Sequence, residues 1–118
     1  MVCHPEGMSQ FPDVPVTDVA DDAAVLDIRE QDEWDAGHAP NAVHIPMNDL
    51  PVRLDELAPF LDRDEPLVVT CRSGGRVSRV LPWLEQQGYD VANMEGGMRA
   101  WHAEGKPLEG TSGQPTII

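Results

Sequence analysis

Short apolar runs alternate along the chain with stretches whose apolar positions recur every three or four residues. AAVLDI (23–28), AVHIP (42–46), PLVVTC (66–71) and YDVANM (89–94) are the apolar runs, and their length and β-branched content predict strands. PLVVTC is apolar throughout, as suits a parallel sheet covered on both faces. PVTDVAD (15–21) predicts a short edge strand. Between the strands, REQDEWDAG (29–37) predicts a helix closed by Gly37. In NDLPVRLDELAPFL (48–61), Leu50, Leu54, Leu57 and Leu61 mark one helical face, with Asn48 or Asp49 as cap and Pro51 in the first turn. Val77, Val80, Leu81 and Leu84 mark another, on a helix that starts near Arg76 and ends near Gly88. Pro82 lies inside that helix, removes a hydrogen bond to residue 78 and predicts a kink. GGMRAWHAEG (96–105) predicts a closing helix.

Strand and helix thus alternate about every twenty residues, the signature of an α/β fold with a mostly parallel sheet. In such sheets ligands bind at the carboxyl ends of the strands, and Cys71 falls at one of these ends.

A chain of 118 residues, 41% of them hydrophobic, is expected to fold as a single domain with one core. Residues 1–14 and 107–118 are expected to be loosely ordered ends. The net charge of −13 disfavours nucleic acid and anionic membranes as partners. No apolar run reaches the roughly 18 residues of a membrane span, and residues 1–15 lack the basic and apolar parts of a secretory signal, so a cytoplasmic location is expected. Of the two cysteines, Cys3 lies in the N-terminal stretch, and a reducing compartment disfavours a Cys3–Cys71 disulfide. His4, His38, His44 and His102 are too scattered to form a metal site with the cysteines.

Chemistry concentrates in CRSGGR (71–76). A cysteine acts as a nucleophile only as the thiolate, which nearby cations and inward N–H groups favour. Arg72 and Arg76 bring the positive charge. The helix that follows brings unpaired N–H groups. Gly74 and Gly75 let the loop curl into a nest of amides. Glu65 and Glu85 are the nearest acidic residues on either side in sequence. A lone cysteine after a strand is ordinarily a small buried hydrophobe. The paired glycines and flanking arginines point instead to an anion cradle around a reactive sulfur.

These stretches resemble the rhodanese-like sulfurtransferase family. LDIREQDEW resembles its strand and acidic helix, GHAPNAVHIP its Gly-His-x-x-Gly-Ala-x-x-Ile-Pro segment, and CRSGGRVS its active-site loop. GYDVANMEGGMRAW resembles its last strand, double-glycine turn and Trp-bearing helix. The four occur in family order over roughly residues 16 to 106. The resemblance implies a rhodanese-like α/β fold, a five-stranded mostly parallel sheet flanked by helices on both faces. It implies that Cys71 takes a sulfane sulfur from an anionic donor such as thiosulfate as a persulfide and passes it to a thiophilic acceptor. Arg72, Ser73, Gly74, Gly75, Arg76 and Val77 would bind the donor, with no metal and no cofactor. Asn41 departs from the family glycine, and the loop has no lysine.

Outside the loop, Asp27 at a strand end is expected to accept loop N–H groups, to pair with an arginine, or to serve only as a surface or capping carboxylate. Arg29 is placed at the same rim and read as a solvated residue. His38, after Gly37, is read as a structural hydrogen-bonding residue or a group at the pocket mouth. Trp34, Trp83 and Trp101 are read as core or half-buried anchors. EQDEWD is read as a solvated face on which a protein sulfur acceptor could dock. The chain is expected to be a monomer or weak dimer.

Two other classes compete. A phosphatase or arsenate reductase also uses a cysteine in an anion loop, but with five residues between Cys and Arg; here four separate Cys71 from Arg76, and position 77 is Val. A non-catalytic binding module would keep the fold without the chemistry, and a sulfur carrier would use the same Cys71 persulfide.

Overall fold

The computed structural model describes residues 11–61, 63–111 and 113–118, so Cys3 and His4 lie outside it. Five strands form one sheet in the order β1-β5-β4-β2-β3: β1 (Asp13–Val14), β2 (Leu26–Asp27), β3 (Val43–His44), β4 (Leu67–Thr70) and β5 (Val91–Met94). Every neighbouring pair is parallel. The edge strand is β1, just ahead of the predicted stretch 15–21. Pro12 and Val14 carbonyls accept the N–H groups of Asn93 and Glu95. Beyond Pro15, Val16–Asp18 turns as a 3-10 helix that buries Val16.

The period-2 geometry of strands divides the core into two. Leu26, Leu67, Val69 and Val91 face one side, where they pack with Leu50, Leu57, Val77, Val80, Leu81 and Leu84. Val25, Val68 and Met94 face the other, against Val16, Val19, Met98 and Trp101. Helices α2 (Leu50–Arg53) and α3 (Gly75–Gln86) therefore lie on one face and α4 (Gly97–Ala103) on the other. Helix α1 (Gln31–Ala36) follows β2.

The predicted helix over 48–61 is a composite. Met47–Asp49 is 3-10, Leu50–Arg53 is α, and Leu54–Phe60 is 3-10 again. Neither Asn48 nor Asp49 makes a side-chain cap, and Pro51 and Pro59 contribute no N–H. Leu50 and Leu57 are buried as the pattern requires, whereas Leu61 is exposed. Helix α3 runs on through Pro82, whose ring faces outward while the predicted Val77, Val80, Leu81 and Leu84 face the core.

The stretch 107–118, expected to be loose, is hydrogen-bonded to the body. Trp101 Nε1 donates to the Pro107 carbonyl at 2.8 Å, and His38 and Glu109 exchange a pair of backbone bonds at 2.8 Å each. Thr111 and Thr116 N–H groups donate to the Asp35 and Ala36 carbonyls. Gly37 is extended (φ 176°), so its lack of a side chain is not a matter of backbone strain; a Cβ there would lie 2.3 Å from the Thr116 carbonyl oxygen.

Helix α4 fixes the loop after β4. Its amides at Met98 and Arg99 donate to the Cys71 and Arg72 carbonyls at 2.8 and 3.0 Å. Gly97 permits that approach: its φ is +61°, and a Cβ would stand 2.6 Å from the Cys71 carbonyl oxygen and 2.7 Å from that of Arg72. Gly97→Ala combines left-handed strain with overpacking and should cost about 2–4 kcal/mol. Urea unfolding of the variant measures this; a change below about 0.5 kcal/mol would mean that the loop yields freely.

Candidate active site

Strand β4 delivers Cys71 to the carboxyl edge of the sheet, and the loop of residues 71–74 turns into α3. Gly74 carries the turn at φ +123°, a conformation that L side chains rarely adopt. The Cys71 side chain is a free thiol and is nearly enclosed, 1% exposed. Its sulfur is packed beside the core yet keeps a polar partner: the Gly74 N–H donates to Sγ at 3.1 Å. The next amides, at Gly75, Arg76 and Val77, open α3 and have no carbonyl one turn earlier in the helix to bond. Ideal Cβ atoms on Gly74 and Gly75 would meet nothing within 4 Å, so the space above the two glycines is open.

The three arginines predicted for the site have three different fates. Arg29 is fully buried with Asp27, both 0% exposed, which corrects its placement at a solvated rim. Its Nε donates to Asp27 Oδ1 at 2.9 Å and its Nη2 to Oδ2 at 2.7 Å, while its own backbone N–H reaches Oδ1. The rest of the guanidinium turns to helix α1: Nη2 bonds the Gly37 carbonyl at 2.8 Å and Nη1 that of Glu33 at 3.4 Å. A buried ion pair is tolerable only when its remaining donors are satisfied in this manner.

Arg76 reaches from the first turn of α3 to Glu33 on α1. Nη1 and Nη2 meet Oε1 and Oε2 at 2.7 and 2.8 Å, a bidentate pair. Oε1 also accepts the Glu30 N–H at 2.9 Å. These Arg76 hydrogen bonds hold the Glu33 carboxyl down to about 2, against the burial that raises it. Arg76 in turn is pushed above its ordinary value, first by the Glu33 bonds, then by charge on Glu33, Cys71 and Asp27, with burial opposing. The loop is thus not free of acid. Its sequence neighbours lack carboxylates, but the fold brings one in, and Glu33 leaves the solvated face expected for EQDEWD.

Arg72 is exposed. Its Nε donates to the main-chain oxygen of Ile118 at 2.9 Å, and its Nη atoms have no hydrogen-bond partner among the described residues. Ser73 is exposed. Val77 gives its amide to the helix start while its side chain lies fully in the core, so only its backbone can face an anion.

His38 is structural: Nδ1 lies 2.7 Å from the Trp34 carbonyl, and its ring stacks on Trp34 at 3.6 Å. His44 stacks on the same indole at 4.5 Å. Trp34 and Trp83 are half-buried, and Trp101 is fully buried, as their positions predict. No cluster of His, Cys, Asp and Glu among the described residues could hold a metal ion, and no helix among them is long and apolar enough to cross a membrane.

Glu33, Gly97 and Ile118 are the contributors that sequence reasoning missed. Glu33 had a signal, since it follows Arg29 by four positions on a helix that must touch the loop. Gly97 had one in the Gly-Gly pair. Ile118 had none, because nothing local in the sequence ties it to Arg72.

Known proteins share the sequence pattern and the fold. The rhodanese-like domain family matches residues 16–104. YtwF of Bacillus subtilis, named as a candidate sulfurtransferase, is 43% identical over 83 residues, covering 70% of this chain and 77% of the relative. A sulfurtransferase of Allochromatium vinosum is 36% identical over 94 residues, 79% of this chain and 84% of its own. Among solved structures, a rhodanese-related protein of Thermoplasma volcanium superposes with a TM-score of 0.72 at 28% identity, covering 84% of this chain and 98% of that one. The cysteine loop at the sheet edge therefore sits in a fold of known lineage: this chain belongs to the rhodanese-like domain family.

Proposed function

We propose that this protein is a sulfurtransferase that works by double displacement through Cys71. The observation that carries the reading is the Cys71 sulfur held against the Gly74 N–H at the amino end of α3, with open space above Gly74 and Gly75. The names of the two sequence relatives support it.

With thiosulfate as donor, the Cys71 thiolate attacks the outer sulfur. A new S–S bond forms to Cys71, the S–S bond of thiosulfate breaks, and sulfite leaves with its electron pair. The resulting persulfide carries one negative charge on its outer sulfur, and in this reading the amides of Gly75, Arg76 and Val77 receive it. A nucleophilic acceptor, such as cyanide or a thiolate, then attacks that outer sulfur and releases Cys71 as thiolate. No metal or cofactor is required for the electrons to balance. The enclosure of Cys71 favours this cycle, because a persulfide shielded from water survives until the acceptor arrives.

The arginines divide the work. Arg76 is neutralised by Glu33 and holds the loop to α1, so its role is to position the loop. Arg72 has no side-chain carboxylate partner among the described residues and keeps both Nη groups open, which suits it to bind the anionic donor as a two-pronged fork. The phosphatase reading loses ground at position 77. An arginine would be needed there, but the site is occupied by a core valine. A protein persulfide could serve as donor or acceptor through the same cycle, acting on a chain that works in the cytoplasm as a monomer or weak dimer.

Intact-mass measurement after incubation with thiosulfate, and separately with 3-mercaptopyruvate, tests the cycle. At least one donor should add a single sulfur that cyanide removes, and Cys71→Ser should add none. An unchanged mass with both donors, and with a protein persulfide, would sink the reading.

The Glu33–Arg76 pair makes a second expectation about pH. The folded carboxyl titrates at about 2 rather than the ordinary 4.5, so the pair's contribution is complete above pH 4.5 and disappears as pH falls from 4.5 toward 2. In urea melts, wild type should exceed Glu33→Gln by about 1–2 kcal/mol at pH 6, and the gap should close on acidification through that window. A gap of equal size at pH 6 and pH 2.5 would show that the ion pair is not its source.

A further inference from the structure

Glycine weakens a helix relative to alanine, so it is expected there only where a turn or a close approach requires it. The other described glycines meet one of those needs. Six carry a positive φ, and Gly37 and Gly110 stand against the carbonyls of Thr116 and Ala36. Gly75 meets neither. It opens α3 with ordinary helical backbone, and an ideal Cβ there would touch nothing within 4 Å. A side chain at this position would therefore fit the fold. It would instead stand at the way in to the sulfur, because Gly74 donates its N–H to Cys71 Sγ at 3.1 Å and Gly75 is the next residue, exposed to solvent.

We infer that Gly75 is a specificity-determining residue whose missing side chain lets a sulfur carried on a polypeptide reach Cys71, a role that rests on the sulfurtransferase reading proposed above. Cys71 is 1% exposed, so the incoming sulfur has to enter the loop and cannot meet the thiol at the surface. The added sulfur of a persulfide extends the thiol by one S–S bond, about 2 Å. A cysteine on a partner chain holds its own sulfur only two bonds from its backbone. That backbone, with chain leading away in both directions, must come down on the lip of the loop before the sulfurs meet. Cyanide is a narrow rod and needs no such clearance. Thiosulfate keeps its bulk compact, on one sulfonate directly behind the sulfur it gives. The open space around Gly75 is the width that the polypeptide requires.

In the transfer, the peptide thiolate attacks the outer sulfur of the Cys71 persulfide. An S–S bond forms on the peptide cysteine, the S–S bond to Cys71 breaks, and Cys71 takes the electron pair as thiolate. The persulfide charge leaves on the peptide, so no oxidant or reductant enters.

Wild type, Gly75→Ala and Gly75→Val are loaded with thiosulfate, or with 3-mercaptopyruvate where that is the donor that adds sulfur, and the gain is confirmed by intact mass. Each is then mixed with cyanide or with a short uncharged peptide bearing one central cysteine, and loss of the added sulfur is followed by quenched mass measurement. The quantity read is the ratio of the peptide rate constant to the cyanide rate constant. Both reactions release the same Cys71 thiolate, so a general effect on the loop cancels in the ratio. The ratio should fall about tenfold in Gly75→Ala and further in Gly75→Val, as added methyl groups meet the wider acceptor. The urea midpoint of Gly75→Ala should equal or exceed that of wild type, since alanine is the better helix former and its methyl meets nothing.

An unchanged ratio would overturn the inference. So would a lower urea midpoint in Gly75→Ala, which would give the glycine a role in the fold. A loading rate that drops as far as the peptide rate would overturn it too, by assigning the clearance to the donor. A wild type that gains no sulfur from any donor loses the sulfurtransferase reading and this role with it. A loaded protein whose variants slow equally toward both acceptors keeps that reading and loses only the role of Gly75.

Discussion

The Asp27–Arg29 pair is the constraint on which the site depends. Two opposite charges lie wholly out of water, where either one alone would be strongly destabilising. The pair survives because each of its hydrogen-bonding groups is used. Asp27, at the end of β2, accepts the Arg29 backbone and side-chain donors, and the other guanidinium groups bond carbonyls of Glu33 and Gly37. Strand β2 is paired with β4, which leads to Cys71. One buried cation thus ties the sheet to the end of helix α1 at the edge that carries Cys71.

From there the constraint passes outward. Helix α1, fixed by Arg29, presents the Glu33 carboxylate, which grips Arg76 and so holds the start of α3. Helix α4 supports the other side of the loop through the N–H groups of Met98 and Arg99 on the Cys71 and Arg72 carbonyls. The loop is therefore braced by α1 through Arg76 and by α4 through its amides, and its open direction lies above Gly74 and Gly75. Bracing matters chemically because amides aimed at a developing anion help only if they need not be reorganised when it arrives.

Charge is distributed with the same economy. In a chain of net charge −13, Arg29 and Arg76 are matched by carboxylates, and Arg72 bonds no side-chain carboxylate among the described residues. The guanidinium without a side-chain carboxylate partner therefore lies at the exposed lip of the loop, not at its base.

Much of this was legible before any fold was known. The apolar runs ending at Asp27, Cys71 and Met94 are confined to strands by their β-branched content and length, and the spacing of Val77, Val80, Leu81 and Leu84 could satisfy only a helix. CRSGGR announced its turn because Gly74 requires a backbone that other residues avoid. Such features are local: each depends on residues within a turn or a strand of one another. What the tertiary structure alone decided is pairing across distance. That Arg29 is buried and not solvated, that Arg76 spends its charge on Glu33, and that the final residues return to Arg72 depend on which surfaces meet once helices pack on the sheet. Long side chains carry no such address in one dimension. An arginine looks the same in sequence whether it will face water, a carboxylate or a carbonyl, and only the assembled neighbours set the cost of each choice.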